Sequence, residues 1–211
     1  MIEVHDVCKS FQKEMVVSHV NVEFYDGKIT GIIGRNGSGK TVLFKMICGL
    51  LIPTSGEIIV NKEHIGKDVD FPSSIGAIIE TPNFIPYLSG YHNLLDLANI
   101  RKKINEEQVK ESIRRVGLDP DNKKRVSKYS LGMRQRLGIA QAIMEEPAVL
   151  ILDEPMNGLD KQGVEDMRKL FMELREKEKT ILIASHNRED IEVLCDVVYE
   201  MDAGVLTKVS E

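Results

Sequence analysis

A chain of 211 residues that is 42% hydrophobic and 29% charged falls in the globular range and can bury one large core or two small ones. Its 28 Lys and Arg against 33 Asp and Glu leave a net charge of −5, so the overall balance calls for no nucleic-acid or anionic-membrane partner, though a local positive site can still hold a polyphosphate. The longest apolar runs, such as Ala148 to Leu152 and Thr180 to Ala184, are strand-length and far below the roughly 18 residues of a membrane span.

In chain order, Ile2 to Cys8 and Val20 to Phe24 alternate apolar and polar residues, and Asp26-Gly27 makes a turn before a third apolar run at Ile29 to Ile33; these predict β-strands. The alternating, acid-containing start lacks the basic lead and apolar core of a signal peptide, so a cytosolic location is expected. A glycine-rich loop follows. Val42, Leu43, Met46, Ile47 and Leu50 then recur with a 3.6-residue period, and Pro53 with Gly56 ends the predicted helix before a strand at Ile58 to Val60. From about Tyr87 to Gln141 the pattern is mostly helical. Leu94, Leu95, Leu97, Ala98 and Ile100 mark one helix, and Val109, Ile113 and Val116 a second that Gly117 and Pro120 stop.

The last third alternates strand and helix: Ala148 to Leu152, a helix from about Gly163 to Lys177, Thr180 to Ala184, a short helix near Arg188 to Cys195, then Val197 to Glu200. Near-continuously apolar strands in such alternation predict a parallel sheet covered on both faces, with the helical middle as an insertion in an α/β core. Cys8, Cys48 and Cys195 are scattered in apolar segments without C-x-x-C spacing and read as reduced core thiols.

The strongest local signal is Gly34-Arg35-Asn36-Gly37-Ser38-Gly39-Lys40-Thr41, a full match to G-x-x-x-x-G-K-[S/T] after a predicted strand and opening, with Val42, a predicted helix. Glycines there let backbone N–H groups close around phosphate oxygens, and the helix N-terminus adds positive potential. Lys40 reaches the β- and γ-phosphates, and the Thr41 hydroxyl is placed to ligate Mg²⁺. Such a P-loop requires a second, carboxylate-bearing strand. Val149 to Asp153 supplies it and delivers Asp153 and Glu154 at its C-terminal end, where α/β sheets bind ligands. Asp153 is expected to hold Mg²⁺ through its water shell and Glu154 to polarise the attacking water. A third strand ends in Ser185-His186, and His186 is expected at the same sheet edge as a γ-phosphate sensor.

Over essentially its whole length the chain resembles the ATP-binding cassette (ABC) ATPases. Beyond the generic P-loop parts, the resemblance rests on Tyr129-Ser-Leu-Gly-Met133, which is similar to the L-S-G-G-Q signature, on Asn157-Gly-Leu-Asp160 at the D-loop position, and on Phe11 at the position of the adenine-stacking aromatic. A core aromatic remains an equal reading of Phe11. The resemblance implies an α/β P-loop NTPase fold of RecA-like type: a parallel-sheet core, an N-terminal antiparallel β subdomain and an inserted α-helical subdomain. It implies one nucleotide-binding domain over 1–211, with the core at about 1–86 and 142–211 and the insert at about 87–141. It further implies a head-to-tail dimer, expected to be of identical chains, sandwiching two ATP molecules with Mg²⁺. Ser130 and Gly132 would then face the γ-phosphate across the interface at the start of a helix over Met133 to Met144, near Asp160.

Three positions depart from the family pattern: Leu131 replaces a glycine, Met133 a glutamine, and Glu80, in Ile78-Ile-Glu-Thr-Pro-Asn-Phe84, the glutamine that links core and insert. Glu80 with this signature looks like the bacitracin- and lantibiotic-resistance branch of ABC exporters, and the resemblance implies a place for Glu80 beside Mg²⁺. The expected function is ATP hydrolysis driving a separate membrane-spanning permease, with the chain peripheral at the inner face of the cell membrane. An importer ATPase, or a soluble ABC protein acting on nucleic acid or ribosomes, are the alternatives. The clusters Arg101-Lys-Lys103 and Lys123-Lys-Arg125 lack interleaved aromatics and read as solvated helix ends, so no nucleic-acid partner is expected. The apolar run from Pro82 to Tyr91 reads either as a groove for a permease helix or as packing of the insert.

Overall fold

The computed structural model describes residues 1–210. In chain order its strands are β1 (Ile2–Phe11), β2 (Glu14–Phe24), β3 (Ile29–Ile33), β4 (Ser55–Val60), β5 (Glu63–His64), β6 (Ile75–Ile78), β7 (Val149–Asp153), β8 (Thr180–Ala184), β9 (Val197–Asp202) and β10 (Val205–Ser210). Its helices are α1 (Lys40–Ile47), α2 (Gly90–Arg101), α3 (Glu106–Arg115), α4 (Leu131–Ile143), α5 (Lys161–Glu176) and α6 (Arg188–Leu194). The strands form two sheets. One is antiparallel in the order β2-β1-β4-β5, and the other runs β10-β9-β3-β8-β7-β6, parallel except for β10.

Alternation explains the antiparallel sheet, with register shifts along β1. Val4 and Val7 are both buried although three residues apart, which a regular strand would place on opposite faces. The register shifts between them, where Asp6 takes a φ of 48° and its N–H is taken by Asn21 Oδ1 at 2.8 Å; the bulge re-phases the strand. In the parallel sheet, β7 and β8 are buried at every position. Val149 and Ile151 pack with Leu43 and Phe44 of α1 and the antiparallel sheet, whereas Leu150 and Leu152 pack with Leu137 of α4 and Phe171 of α5. Both faces are therefore covered, as the apolar run predicts.

Several local expectations are corrected. Helix α1 stops at Ile47, and Gly49 at φ 77° turns the chain, so Leu50 lies outside the helix and is exposed. Leu97 and Ile100 are exposed on α2 while Leu94 and Ala98 are buried, because only one stripe of that helix meets the core. The helix after the signature begins at Leu131 rather than Met133, since the Ser130 hydroxyl caps it by accepting from Met133 N–H at 3.1 Å. Strands β5, β6 and β10 carry no strong sequence signal: two are very short, and β10 exists through its antiparallel pairing with β9.

Candidate functional site

Four helix N-termini gather candidate residues, and α1 differs from the others. Helices α4, α5 and α6 are capped by the side chains of Ser130, Asp160 and Asn187. Helix α1 has Gly39 at its N-cap, no capping side chain and no acid in its first turn, which leaves its end open to an anion. Gly39 sits at φ 112°, and a Cβ there would lie 2.7 Å from the Val16 carbonyl oxygen, so no other residue fits the turn. The Ser38 hydroxyl is buried with no hydrogen-bond partner, an orphan that calls for a ligand oxygen. Lys40 is buried and donates from Nζ to the Gly34 and Arg35 carbonyls at 2.6 and 3.0 Å, folding back over the loop.

The Thr41 hydroxyl donates to Asp153 Oδ2 at 2.8 Å, joining the first turn of α1 to the C-terminal end of β7. A cleft of about 540 Å³ opens there, lined by Asn36, Gly37, Ser38, Gly39, Lys40, Thr41 and Val42 on one side and by Glu80, Asp153 and Glu154 on the other. Glu154 is held at φ 51°, a strained conformation for a non-glycine residue. Its N–H donates to the Ala184 carbonyl at 2.9 Å, and Gln135 Nε2 donates to the Glu154 and Pro155 carbonyls at 3.3 and 3.1 Å. His186 Nδ1 stands 2.8 Å from Glu154 Oε2, bringing the ends of β7 and β8 together. Gly34, Arg35 and His186 border a second cleft of about 770 Å³.

Other predicted residues fall around this centre. Ser130 and Gly132 lie at the N-terminus of α4, outside the lining of the first cleft, while Leu131 between them lines it. Leu131 also packs on Gly158: at φ 77° that glycine would aim a Cβ to 2.5 Å from Leu131 Cδ2, so the departure from glycine at position 131 ties the signature to the 157–160 loop. Asp160 accepts from Gly163 N–H at 2.8 Å. Phe11 ends β1, half-exposed, with Lys9 Nζ 5.2 Å from its ring centre; it is not a core residue and does not line the cleft. Glu80, at φ 61°, forms an ion pair with Lys45 Nζ at 2.7 Å.

Sequence reasoning missed Gln135 and Lys45; Gln135 lines the cleft, as does Asn157 at the head of the 157–160 loop. Lys45 had one available signal, its position a single turn beyond Thr41 on the same helix face. The run Pro82 to Tyr91 divides: Phe84 packs against the core, and Ile85 and Tyr87 are exposed. Arg101 is not free at its helix end but pairs with Glu145 at 2.8 Å and donates to the Ser73 carbonyl at 2.9 Å. Among the described residues no helix is long and apolar enough to cross a membrane.

Comparison with known proteins agrees with this geometry. Residues 17–157 match the family model described as ABC transporter. An uncharacterised ABC transporter ATP-binding protein of Bacillus subtilis, YybJ, is 43% identical over 206 residues, covering 98% of this chain and 94% of that protein. The bacitracin transport ATP-binding protein BcrA of Enterococcus faecalis is 41% identical over 210 residues, covering 99% of this chain and 68% of its own length. A solved structure titled as the dimeric structure of MJ0796, a bacterial ABC transporter cassette, superposes with a TM-score of 0.89 over 100% of this chain and 98% of that one, at 22% identity, and so shares the fold.

Proposed function

The chain belongs to the ABC transporter family as an ATP-binding ATPase subunit, and from that premise we propose that it powers export of bacitracin- or lantibiotic-like peptides through a separate membrane-spanning permease. The observation that carries the site assignment is the 2.8 Å contact between Thr41 Oγ1 and Asp153 Oδ2, beside the uncapped N-terminus of α1. A hydroxyl and a carboxylate brought together beside the unpartnered Ser38 hydroxyl are oxygen donors of the kind Mg²⁺ takes, so the residues fit the ion. In this reading Lys40, the Ser38 hydroxyl and the backbone N–H groups of 34–42 hold the β- and γ-phosphates. Thr41, Asp153 through the ion's water shell, and Glu80 would hold Mg²⁺, whose charge would offset that of the phosphates. Glu154 polarises the attacking water and His186 orients it.

Phe11 stacks on adenine, its exposed ring needing only to meet a base. Ser130, Gly132 and Asp160 complete the site of a second copy of the chain in an ATP-sandwich dimer, consistent with their place outside this chain's own cleft. The chain acts as one nucleotide-binding domain, core 1–86 and 142–211 with the insert at 87–141, at the cytoplasmic face of the membrane. Similarity to BcrA, with Glu80 and the Ser-Leu-Gly-Met signature, supports a peptide-antibiotic substrate.

Two variants and a capture experiment test the proposal. Lys40→Ala should abolish ATP binding, and Glu154→Gln should keep binding, stop hydrolysis and elute as a dimer with Mg-ATP in size-exclusion chromatography. A Glu154→Gln monomer with undiminished turnover would refute the role of Glu154. Capture from detergent-solubilised membranes should bring down a hydrophobic partner; RNA in its place would overturn the transport reading.

A further inference from the structure

Among the described residues, the one ion pair that α1 makes beside the nucleotide cleft is Lys45–Glu80, at 2.7 Å. Among the described residues neither side chain has a second ion-pair partner. The two come from different structures: Lys45 from the second turn of α1, Glu80 from the loop after β6, where its φ of 61° holds a non-glycine backbone in a sparsely populated region. Residues four apart on a helix share a face, so Lys45 lies directly along α1 from Thr41, whose hydroxyl already meets Asp153. Glu80 lines the same cleft as Thr41 and Asp153. Its carboxylate thus belongs to the cleft of the oxygens proposed to hold Mg²⁺, and a cation is already paired with it.

A carboxylate in that place has an electrostatic problem that an amide does not: without a metal it repels the triphosphate. The other lysine at hand, Lys40, is committed to the Gly34 and Arg35 carbonyls. We propose that Lys45 is the resting counter-ion of Glu80. It neutralises the carboxylate while no metal is bound and yields it when the metal–nucleotide complex enters. This rests on the metal-facing reading of Glu80 and adds a positioning residue to it. Two cations then compete for one carboxylate, so Lys45 favours metal-free nucleotide and opposes the recruitment of Glu80 to the metal. Glu80 is largely solvent-exposed and Lys45 is about one-third exposed, which keeps the expected effect to that of a surface pair, about two- to fivefold in affinity.

The test is a double-variant cycle on the whole chain, measuring affinity for the non-hydrolysable analogue AMP-PNP by calorimetry, with Mg²⁺ and with chelator. The readout is the ratio of the two affinities, which does not depend on turnover. Lys45→Met should raise that ratio about two- to fivefold, chiefly by weakening metal-free binding, and Lys45→Arg should hold it at the parent value. In a Glu80→Gln background, Lys45→Met should leave the ratio unchanged. If Lys45→Met weakens both affinities equally, or shifts the ratio as much without Glu80 as with it, Lys45 is merely a nearby positive charge and the proposal fails. If Glu80→Gln alone leaves the ratio at the parent value, the metal-facing reading of Glu80 itself fails and takes the proposal with it. A ratio that moves in Glu80→Gln but not in Lys45→Met refutes the counter-ion alone.

Discussion

Arg168 and Asp190 form the most deeply buried ion pair among the described residues, and Arg168→Met measures what it holds together. Arg168 is 5% exposed and Asp190 2%. The guanidinium donates from Nε and Nη2 to Asp190 Oδ1 at 3.1 and 2.6 Å, joining α5 to α6, while Nη1 reaches the more exposed Glu165 and Glu189 at 3.1 and 3.0 Å. Removing the guanidinium strands the Asp190 carboxylate in a dry site. One-sided loss of a buried pair costs about 3–5 kcal/mol. The lower end applies, because the Nη1 edge already borders solvent and water can follow it in. A loss of about 3 kcal/mol in a chain of this size lowers Tm by roughly 6–12 °C. Urea denaturation followed by two probes gives the free energy directly. Adding Asp190→Leu should recover at least half of the loss, since an apolar pair of similar volume needs no counter-charge. A cost of Arg168→Met below about 1 kcal/mol, the range of exposed pairs, would refute the reasoning, as would a double variant no more stable than Arg168→Met alone. Because α6 starts just after His186, ATPase activity should fall along with stability.

Two more predictions use the same logic of burial. Phe84 packs on the core and Tyr87 is 66% exposed, so Phe84→Asp should cost about 2 kcal/mol or more, while Tyr87→Asp leaves the melting curve within about 0.5 kcal/mol yet weakens permease capture; equal destabilisation by both would refute this division. Burial pushes the Cys48 and Cys195 thiols from 9.0 up to about 12, which leaves about a thousandfold less thiolate at pH 8 than an ordinary cysteine has. Cys48, which is 5% exposed, should resist a disulfide reagent until urea unfolds the chain, and its rapid labelling in the native protein would count against this. The linked stability is complete below pH 9.0 and falls as pH rises from there toward 12, because the unfolded chain releases these protons first.

Much of the site was legible because its signals are local. The eight residues from Gly34 to Thr41 lie within one turn and the start of one helix, so type and spacing alone point to a phosphate cradle. Asp153 ends, and Glu154 follows, a five-residue strand buried at every position, and the hydrophobic run announces both the strand and its polar end. The near-continuous apolar runs likewise call for cover on both faces, which points to parallel strands; β10, antiparallel to β9, is the exception.

What the sequence left undetermined concerns residues that meet from far apart. Lys45 and Glu80 are 35 positions apart and Arg168 and Asp190 22; no periodicity within a helix or a loop specifies which charges will face each other. The exposure of Leu97 and Ile100 depends on how much of α2 the neighbouring elements cover, not on the period of α2 itself. Leu131 reads in the sequence only as a departure from glycine, and its function as a wedge against Gly158 exists because α4 and the 157–160 loop arrive at the same place. The sequence by itself determined the chemistry that can bind phosphate, since that chemistry is carried by contiguous residues. Tertiary structure alone decided which cations and apolar side chains surround it, since those contacts form only when distant segments pack.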